Sequence, residues 1–240
     1  MTGKLLALVY GLFAYAVFLA VFLYLIGFLA NRYALNTIDS GLQIPLAEAW
    51  PRDLALLVLF GAQHSVMARD WCKRASRRLI PQPVERSTYV LMTCVALAAL
   101  FRYWEPMPNL VWDVRHPIGS RLLDGMFLAG WGLVAVATVQ IGHGELTGLR
   151  QVWMYARGVT PAPPQFRTPG IYRYVRHPMM LGMLIALWST AAMSLGHLLF
   201  SGVLSLYILL ALGWEERDLD RAHPEDYERY RERVGRLLPR

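Results

Sequence analysis

Residues 5–30 read LLALVYGLFAYAVFLAVFLYLIGFLA, a run of 26 residues that contains no charged side chain. About 20 consecutive apolar residues are enough for a helix to cross the hydrocarbon core of a bilayer. The run follows Lys4 and so has the outline of a secretory signal, but it is too long for the apolar region of one, and no small-residue cleavage site follows it. We therefore predict that residues 5–30 form a first transmembrane helix.

The composition of the whole chain agrees with a membrane protein. Of its 240 residues, 55% are hydrophobic and 17% are charged, with a mean hydropathy of +0.33, whereas a soluble domain carries about 25% charged residues. A composition this apolar excludes intrinsic disorder. It also gives the chain more apolar surface than a soluble protein of this length can bury. The net charge of +7 is assigned to cytoplasmic loops rather than to a nucleic-acid surface. The two cysteines, Cys72 and Cys94, make neither a disulfide framework nor a zinc site.

Apolar segments divide the chain, and they lie at 5–30, 53–68, 87–103, 122–142, 178–195 and 198–214. The last two are so close together that they predict a tight helical hairpin, which need not cross the membrane completely. The predicted fold is an all-α integral membrane protein with about five to six transmembrane helices, the last two forming the hairpin, and a C-terminal cytoplasmic surface helix. We expect residues 1–240 to form a single transmembrane domain.

The charges of the loops predict how the chain is oriented. With the N-terminus inside, the inner stretches hold 19 Lys and Arg residues and the outer loops hold 5. Because cytoplasmic loops are enriched in Lys and Arg, this bias predicts that both termini are cytoplasmic.

Two less apolar segments are also expected to be ordered. The 143–177 loop is long and irregular, as functional loops often are; its prolines and one of its glycines are Pro161, Pro163, Pro164, Pro169 and Gly170. The tail at 215–240 is strongly charged, and its apolar residues Tyr227, Tyr230 and Val234 recur at helical spacing. That pattern predicts an amphipathic helix on the cytoplasmic surface.

The predicted topology brings polar side chains from four segments to the cytoplasmic face. They are His64, His143, Arg176-His177-Pro178 and Glu215-Glu216-Arg217. Polar groups at membrane depth are costly without partners, so the cluster indicates a ligand site. Structural interpretations are also open: a histidine can bond a helix carbonyl, an arginine can be a positive-inside anchor, and the glutamates can begin the surface helix. No ligand spacing in the sequence supports a metal site or a bis-histidine haem.

Motifs in about the last 75 residues carry a family resemblance. One is FRTPGIYRYVRHP at 166–178, followed by Gly182, and the other combines EERDL at 215–219, HPEDYERY at 223–230 and RLLP at 236–239. Together they resemble the isoprenylcysteine carboxyl methyltransferase superfamily of membrane enzymes. Further motifs are similar to its bacterial methanethiol S-methyltransferase branch, which is related to NnrU-type proteins; they are QHSVMAR at 63–69, ERSTY at 85–89, GLRQ at 148–151 and SLGHLLF at 194–200.

The resemblance implies a site for S-adenosylmethionine in the C-terminal half, 143–240. The residues that it implies for this site are Tyr172, Tyr174, Arg176, His177, Pro178, Glu215 and Glu216. Glutamates suit the ammonium and ribose hydroxyls of this cofactor, and an arginine suits its carboxylate. The superfamily often has a tyrosine two residues after its His-Pro, where this chain has Met180. A contact made by that hydroxyl is therefore not carried over.

The implied reaction is an in-line attack of a thiol sulfur on the methyl group of the cofactor. The most specific prediction is the conversion of methanethiol to dimethyl sulfide, with hydrogen sulfide as a poorer substrate. Because the thiolate is the nucleophile, we expect His64 to take the proton and Arg69 or Arg150 to stabilise the thiolate. No metal is expected. The small thiol partitions into the lipid bilayer, no nucleic acid or obligatory protein partner is inferred, and a bacterial inner-membrane location follows from the resemblance.

The sequence leaves three alternatives open. An isoprenylcysteine or lipid methyltransferase would need a lateral opening to the bilayer. An NnrU-like protein with a haem- or transport-linked role would transfer no methyl group, and a structural subunit would tolerate substitution of His177 or Glu216. Only the enzyme interpretations explain why the 166–182 and 215–239 motifs occur together.

Overall fold

The structure, a computed structural model, describes residues 2–160 and 166–240. The predicted irregular loop therefore lies partly outside the described residues, at Pro161, Pro163 and Pro164. The described helices are α1 (Thr2–Leu29), α2 (Leu46–Ala68), α3 (Asp70–Ser76), α4 (Gln82–Tyr103), α5 (Pro117–Ile141), α6 (His143–Thr147), α7 (Leu149–Arg157), α8 (Pro178–Trp188), α9 (Leu195–Ala222) and α10 (Pro224–Arg233). A 3₁₀ turn covers Gly170–Arg173, and the short strands are β1 (Leu110–Asp113) and β2 (Ala192–Ser194).

Four helices of the described residues, α1, α4, α5 and α9, are long and apolar enough to cross a membrane. The shortest of them has 22 residues, and at about 1.5 Å per residue this exceeds the hydrocarbon core of about 30 Å. A helix also satisfies its own backbone hydrogen bonds, as a lipid environment requires. The predicted all-α membrane fold is confirmed.

The other two predicted segments have different bounds from the helices observed. α8 has 11 residues and ends at Trp188, so it extends only about 17 Å and is a shorter apolar helix that does not cross a bilayer. β2 then leads from α8 to α9. α2 begins at Leu46, before the predicted 53–68, and contains Pro51 and the buried Asp53. Of the predicted five to six transmembrane helices, four thus meet the length and composition that a membrane requires within residues 2–160 and 166–240.

The C-terminal tail differs from the single surface helix predicted over 215–240. α9 continues past Glu216 to Ala222, so the first part of the tail belongs to the last long helix. A new helix, α10, begins at Pro224, which lacks a backbone N–H and is favoured in a first turn. The spaced apolar residues of the tail are buried or half-buried, and they are Tyr227, Tyr230 and Val234.

The chain forms two compact units, of which the first comprises Met1–Pro108 and Gly144–Ala162. In this unit α1 packs against α4 and α7, and α2 packs against α4. The contact between α1 and α7 is close because Gly11 has no side chain: a Cβ there would lie 2.5 Å from Cγ2 of Val152. At the C-terminal end of α1, Phe28 packs against Phe101 of α4 and against Trp104, and the three rings form a buried aromatic core.

The second unit comprises Asn109–His143 and Pro163–Arg240, and its main helix pair is α5 and α8. The two helices meet at Gly130 and Gly182, where a Cβ on Gly130 would lie 2.7 Å from the carbonyl oxygen of Gly182. Small residues allow backbones to approach this closely in membrane helix pairs. The glycine four residues after Pro178 in the family motif therefore has a packing role.

Both ends of α8 are held by other elements of the second unit. At its C-terminal end, His197 and Ser201 of α9 donate hydrogen bonds to the carbonyl of Leu187, at 3.0 and 2.8 Å. β2, which follows α8, pairs antiparallel with β1. At its N-terminal end, α8 begins directly after Arg176 and His177. The packing of α8 thus sets the position of the Arg-His-Pro motif.

Candidate active site

The segment before α8 pairs with the end of the chain. Val175 forms a parallel bridge with Gly235, and the backbone N–H groups of Arg176 and His177 donate to the carbonyls of Gly235 and Arg236, at 2.9 and 3.2 Å. This pairing requires the chain to return after α10. It places Arg236 beside Arg176 and His177, although the two stretches are about 60 residues apart in sequence.

Glu216 of α9 is the centre of the charged cluster. Its Oε1 lies 2.7 Å from Nη1 of Arg176 and 3.1 Å from Nε2 of His177, and its Oε2 lies 3.2 Å from Nη2 of Arg236. The side chains of Arg176, His177 and Glu216 are only 8%, 5% and 18% exposed. Glu215 lies on the other side of the imidazole, 3.6 Å from Nδ1 of His177. Glu216 therefore joins two guanidiniums and one imidazole in a charge-assisted network whose centre is buried, while Glu215 and Arg236 lie at its more exposed edge.

Aromatic side chains of α10 frame this cluster. The hydroxyl of Tyr227 accepts a hydrogen bond from Nη1 of Arg176 at 3.2 Å, and the hydroxyl of Tyr230 donates to the carbonyl of Tyr172 at 2.5 Å. The ring of Phe166 packs against both α10 tyrosines. Burial, with the charge of Glu215 as a smaller cause, raises the pKa of Tyr172 to about 12, and burial likewise raises the pKa of Tyr230 to about 12. Both phenols are thus neutral hydrogen-bond donors at physiological pH.

The 166–178 motif turns at Gly170, which has a left-handed backbone conformation. Gly170 has a φ of +49°, and a Cβ at this position would collide with the side chain of Gln140 on α5. Oε1 of Gln140 accepts a hydrogen bond from the backbone N–H of Ile171 at 2.9 Å. The Pro-Gly pair of the motif is therefore needed for the turn that brings Tyr172 and Arg176 to the cluster.

The residues that the resemblance implied for the cofactor take three kinds of position. Arg176, His177, Glu215 and Glu216 are brought together. The backbone carbonyl of Tyr172 accepts the hydrogen bond from Tyr230 beside the cluster, and Pro178 is the buried first residue of α8. Tyr174 is 69% exposed.

Sequence reasoning assigned no role to three residues that complete this cluster: Arg236, Tyr227 and Tyr230. Arg236 belongs to a quoted family motif, but in a basic tail an arginine is indistinguishable by sequence from a positive-inside charge. The signal that could have found the tyrosines is their helical spacing together with the family motif that contains them.

The proposed catalytic residues lie in the first unit. Nε2 of His64 lies 2.9 Å from the hydroxyl of Tyr89, and Nδ1 lies 3.4 Å from Oγ1 of Thr93. The hydroxyl of Thr93 itself donates to the carbonyl of Tyr89, at 3.0 Å. The hydroxyl of Tyr89 also donates to the backbone carbonyl of His64, at 3.4 Å, so it contacts both the ring and the main chain of this histidine.

The two candidate arginines occupy other positions in the same unit. Arg69 lies at the junction between α2 and α3, where its backbone N–H donates to Val66. Arg150 of α7 forms an ion pair with Glu145 of α6. A third arginine, Arg86 of α4, lies over the ring of Tyr89 with its guanidinium carbon 4.9 Å from the ring centre. The structure therefore places Arg86, not Arg150, next to the partner of His64.

His143, the remaining member of the predicted polar cluster, begins α6 directly after the left-handed Gly142 that ends α5. Among residues 2–160 and 166–240, no group of three or more His, Cys, Asp and Glu side chains is arranged to hold a metal ion.

The fold and these two clusters define a class: an α-helical membrane protein with a buried charged site where its last long helix meets the end of the chain. The chain belongs to the NnrU family, whose family model, described as NnrU protein, matches residues 54–230. The predicted resemblance is thereby confirmed.

Named relatives cover almost the whole chain. It is 44% identical to the methanethiol S-methyltransferase of Mycobacterium tuberculosis, over 98% of this chain and 97% of that protein. It is 42% identical to methanethiol S-methyltransferase 1 of Bradyrhizobium diazoefficiens, over 98% of this chain and 83% of that protein. Human Nurim is 32% identical over 75% of this chain and 70% of that protein. No solved structure matches the chain.

Proposed function

We propose that this chain is an S-adenosylmethionine-dependent methyltransferase that converts methanethiol to dimethyl sulfide. The observation that carries the proposal is the buried cluster around Glu216, found in a chain that resembles methanethiol S-methyltransferases over nearly its full length. On this proposal residues 1–240 act as one methyltransferase domain, and 143–240 carry the cofactor site.

The donor set of the Glu216 cluster fits a zwitterionic cofactor. The Nε atoms of Arg176 and Arg236 are buried and have no hydrogen-bond partner in the described part of the chain, so the two guanidiniums retain capacity for a carboxylate. Glu215 and Glu216 suit an ammonium group or ribose hydroxyls. When bound, S-adenosylmethionine supplies an electrophilic methyl group on a positively charged sulfur. We assign its binding to Arg176, His177, Glu215 and Glu216, with Tyr172, Tyr174 and Pro178 as residues of the surrounding segment.

The acceptor side of the reaction needs a thiolate and a dry environment. We propose that His64 takes the thiol proton at Nε2, which lies 2.9 Å from the hydroxyl of Tyr89. Arg69 and Arg150 are the cations proposed from the sequence, and Arg150 would have to leave Glu145 to act. Burial favours a reaction in which opposite charges cancel, because water stabilises the separated charges more than an apolar site does.

The setting of the proposed reaction is the bilayer. Methanethiol and dimethyl sulfide are small and apolar, so both can enter and leave through lipid, and the cofactor would be supplied from the cytoplasm. We propose a bacterial inner-membrane location with both termini cytoplasmic, on the basis of the loop charges and the bacterial relatives.

The test is headspace gas chromatography of detergent-purified protein supplied with S-adenosylmethionine and methanethiol. We expect dimethyl sulfide from the wild type. In His177→Ala and Glu216→Gln we expect a loss of about 30-fold or more, because removing one partner of a buried charged pair costs about 2–5 kcal/mol. His116→Ala is the control, since His116 is exposed in the same unit and its substitution should leave the rate within about twofold.

Each other outcome has a definite meaning. Cofactor binding by calorimetry without dimethyl sulfide would redirect the search to prenyl and lipid acceptors. Absence of both binding and product would contradict a methyltransferase and favour the NnrU-like alternative.

A further inference from the structure

A small cleft of about 30 Å³ lies between α2, α3 and α4 of the first unit. Its lining combines an apolar part, Met67, Ala68 and Ile80, with Cys72, Arg86 and Tyr89. None of these residues was assigned to a substrate by the sequence analysis. The remaining lining residues are Lys73, Ser76 and Glu85, so the cleft combines an apolar wall with charged and hydroxyl groups.

The volume of the cleft limits what it can hold. A single water needs about 10–15 Å³ by the same kind of measure, so 30 Å³ accommodates a ligand of roughly two or three non-hydrogen atoms. Methanethiol has two, one carbon and one sulfur. A prenyl chain or a lipid acceptor is far larger than this cleft.

The charges around the cleft favour a small anion at Arg86. The hydrogen bond described for its guanidinium runs from Nε to the carbonyl of Leu146, at 2.8 Å, and leaves the terminal amino groups for a ligand. Two other charged side chains line the cleft. Lys73 lies 3.4 Å from Asp70, and Glu85 lies 3.6 Å from Arg77, with its buried Oε2 accepting no hydrogen bond in the described part of the chain. Arg86 is therefore the cation best placed to face a thiolate.

The hydroxyl of Tyr89 links the cleft to His64. Tyr89 lines the cleft, His64 is not among the lining residues, and the two side chains are joined by the 2.9 Å hydrogen bond to Nε2. The same hydroxyl also lies 3.4 Å from the backbone carbonyl of His64, so it is in contact with both the ring nitrogen and the main chain of this residue. A proton from a ligand in the cleft can thus reach His64 through Tyr89.

We propose that this cleft binds the small alkyl thiol acceptor, with Arg86 facing its sulfur and Tyr89 passing its proton to His64. The proposal rests on the proposed function. In the step, the S–H bond breaks and its proton moves to the oxygen of Tyr89, while the proton of Tyr89 moves to Nε2 of His64. The electron pair stays on sulfur, next to Arg86, and the imidazolium is later deprotonated by water.

The experiment compares two phenylalanine substitutions in the full-length protein. Ala68→Phe fills the cleft, whereas Ala75→Phe adds the same bulk at an exposed position of α3 that does not line it. We expect Ala68→Phe to raise the KM for methanethiol at least tenfold and Ala75→Phe to change it less than twofold. The affinity for S-adenosylmethionine and the thermal midpoint should match the wild type in both. In parallel, Arg86→Met should lower kcat/KM for the thiol, and Arg86→Lys should restore part of it.

A second readout does not depend on turnover. Saturation-transfer NMR on the methyl protons of methanethiol, in deuterated detergent, should detect binding to the wild type and Ala75→Phe but not to Ala68→Phe. That pattern without dimethyl sulfide formation would retain the thiol site and reject the proposed function. An Ala68→Phe variant that keeps the wild-type KM, or that keeps the NMR signal, would overturn the site.

Discussion

Glu216 determines the geometry of the charged site at the scale of single residues. One carboxylate contacts Arg176, His177 and Arg236, which come from the start of α8 and the end of the chain. A buried carboxylate is costly to leave unpaired, so Glu216, the two arginines and His177 depend on one another. This mutual dependence explains why the motif around Arg176 and the motif around Glu216 occur in one chain.

The tyrosines beside the cluster give a pH prediction. Burial raises the pKa of Tyr172 to about 12, above the value near 10 of an unfolded chain. Between these values the unfolded state has lost a proton that the folded state retains. The contribution of Tyr172 to the free energy of unfolding is therefore fully present below about pH 10, and it is lost as the pH rises towards 12.

We expect Tyr172→Phe to show a shallower fall of the thermal midpoint between about pH 10 and 12 than the wild type. The measurement is thermal unfolding of the detergent-solubilised protein across that range, with the phenolate absorbance followed in parallel. Tyr174→Phe, at a position 69% exposed, is the matched variant. A slope in Tyr172→Phe equal to that of the wild type would contradict the assignment.

At the scale of elements, the crossing of α5 and α8 holds the site in place. α8 is too short to be anchored by the bilayer, so its position depends on its packing. The backbones approach so closely that a Cβ on Gly182 would lie 2.6 Å from the carbonyl oxygen of Gly130. Because these are backbone atoms, no side-chain rotation can relieve an added methyl group.

Gly130→Ala is therefore expected to destabilise the protein by about 1–3 kcal/mol, although alanine is the better helix former by about 1 kcal/mol. The thermal midpoint of the purified protein checks this. Gly132→Ala, two residues along the same helix, meets nothing within 4 Å and should be neutral or slightly stabilising. If both variants unfold at the wild-type temperature, the crossing is looser than the structure shows.

At the scale of the whole molecule, the chain consists of two compact units with four helices able to cross a membrane in the described part. The residues proposed for the cofactor lie in one unit, and His64, Arg69, Arg150 and the small cleft lie in the other.

The loop charges lead to a topology prediction. In a variant without native cysteines, Cys72→Ser with Cys94→Ala, a membrane-impermeant maleimide should label Arg32→Cys and Arg115→Cys in intact bacterial cells. Arg78→Cys and Arg231→Cys should react only after the membrane is opened, because their segments hold the excess of Lys and Arg. The reverse pattern would invert the proposed orientation.

The sequence by itself determined the class of fold and predicted part of the candidate site. Membrane helices can be identified from sequence because hydropathy is a local property that accumulates along a segment, as residues 5–30 illustrate. The Arg-His-Pro and Glu-Glu motifs could be paired because their residue types recur together in a known superfamily. Neither inference requires knowledge of how distant parts of the chain contact each other.

The tertiary structure alone decided which side chains complete the sites. The contact of Arg236 with Glu216 depends on the chain returning after α10 to pair with Val175, and the role proposed for Arg86 depends on the packing of α2, α3 and α4 around the cleft. In the sequence both are arginines among other basic residues, with the same charge and the same hydropathy. The physical reason is that an ion pair or a binding cleft is made by contacts between residues distant in the chain, and those contacts exist only once the helices have packed.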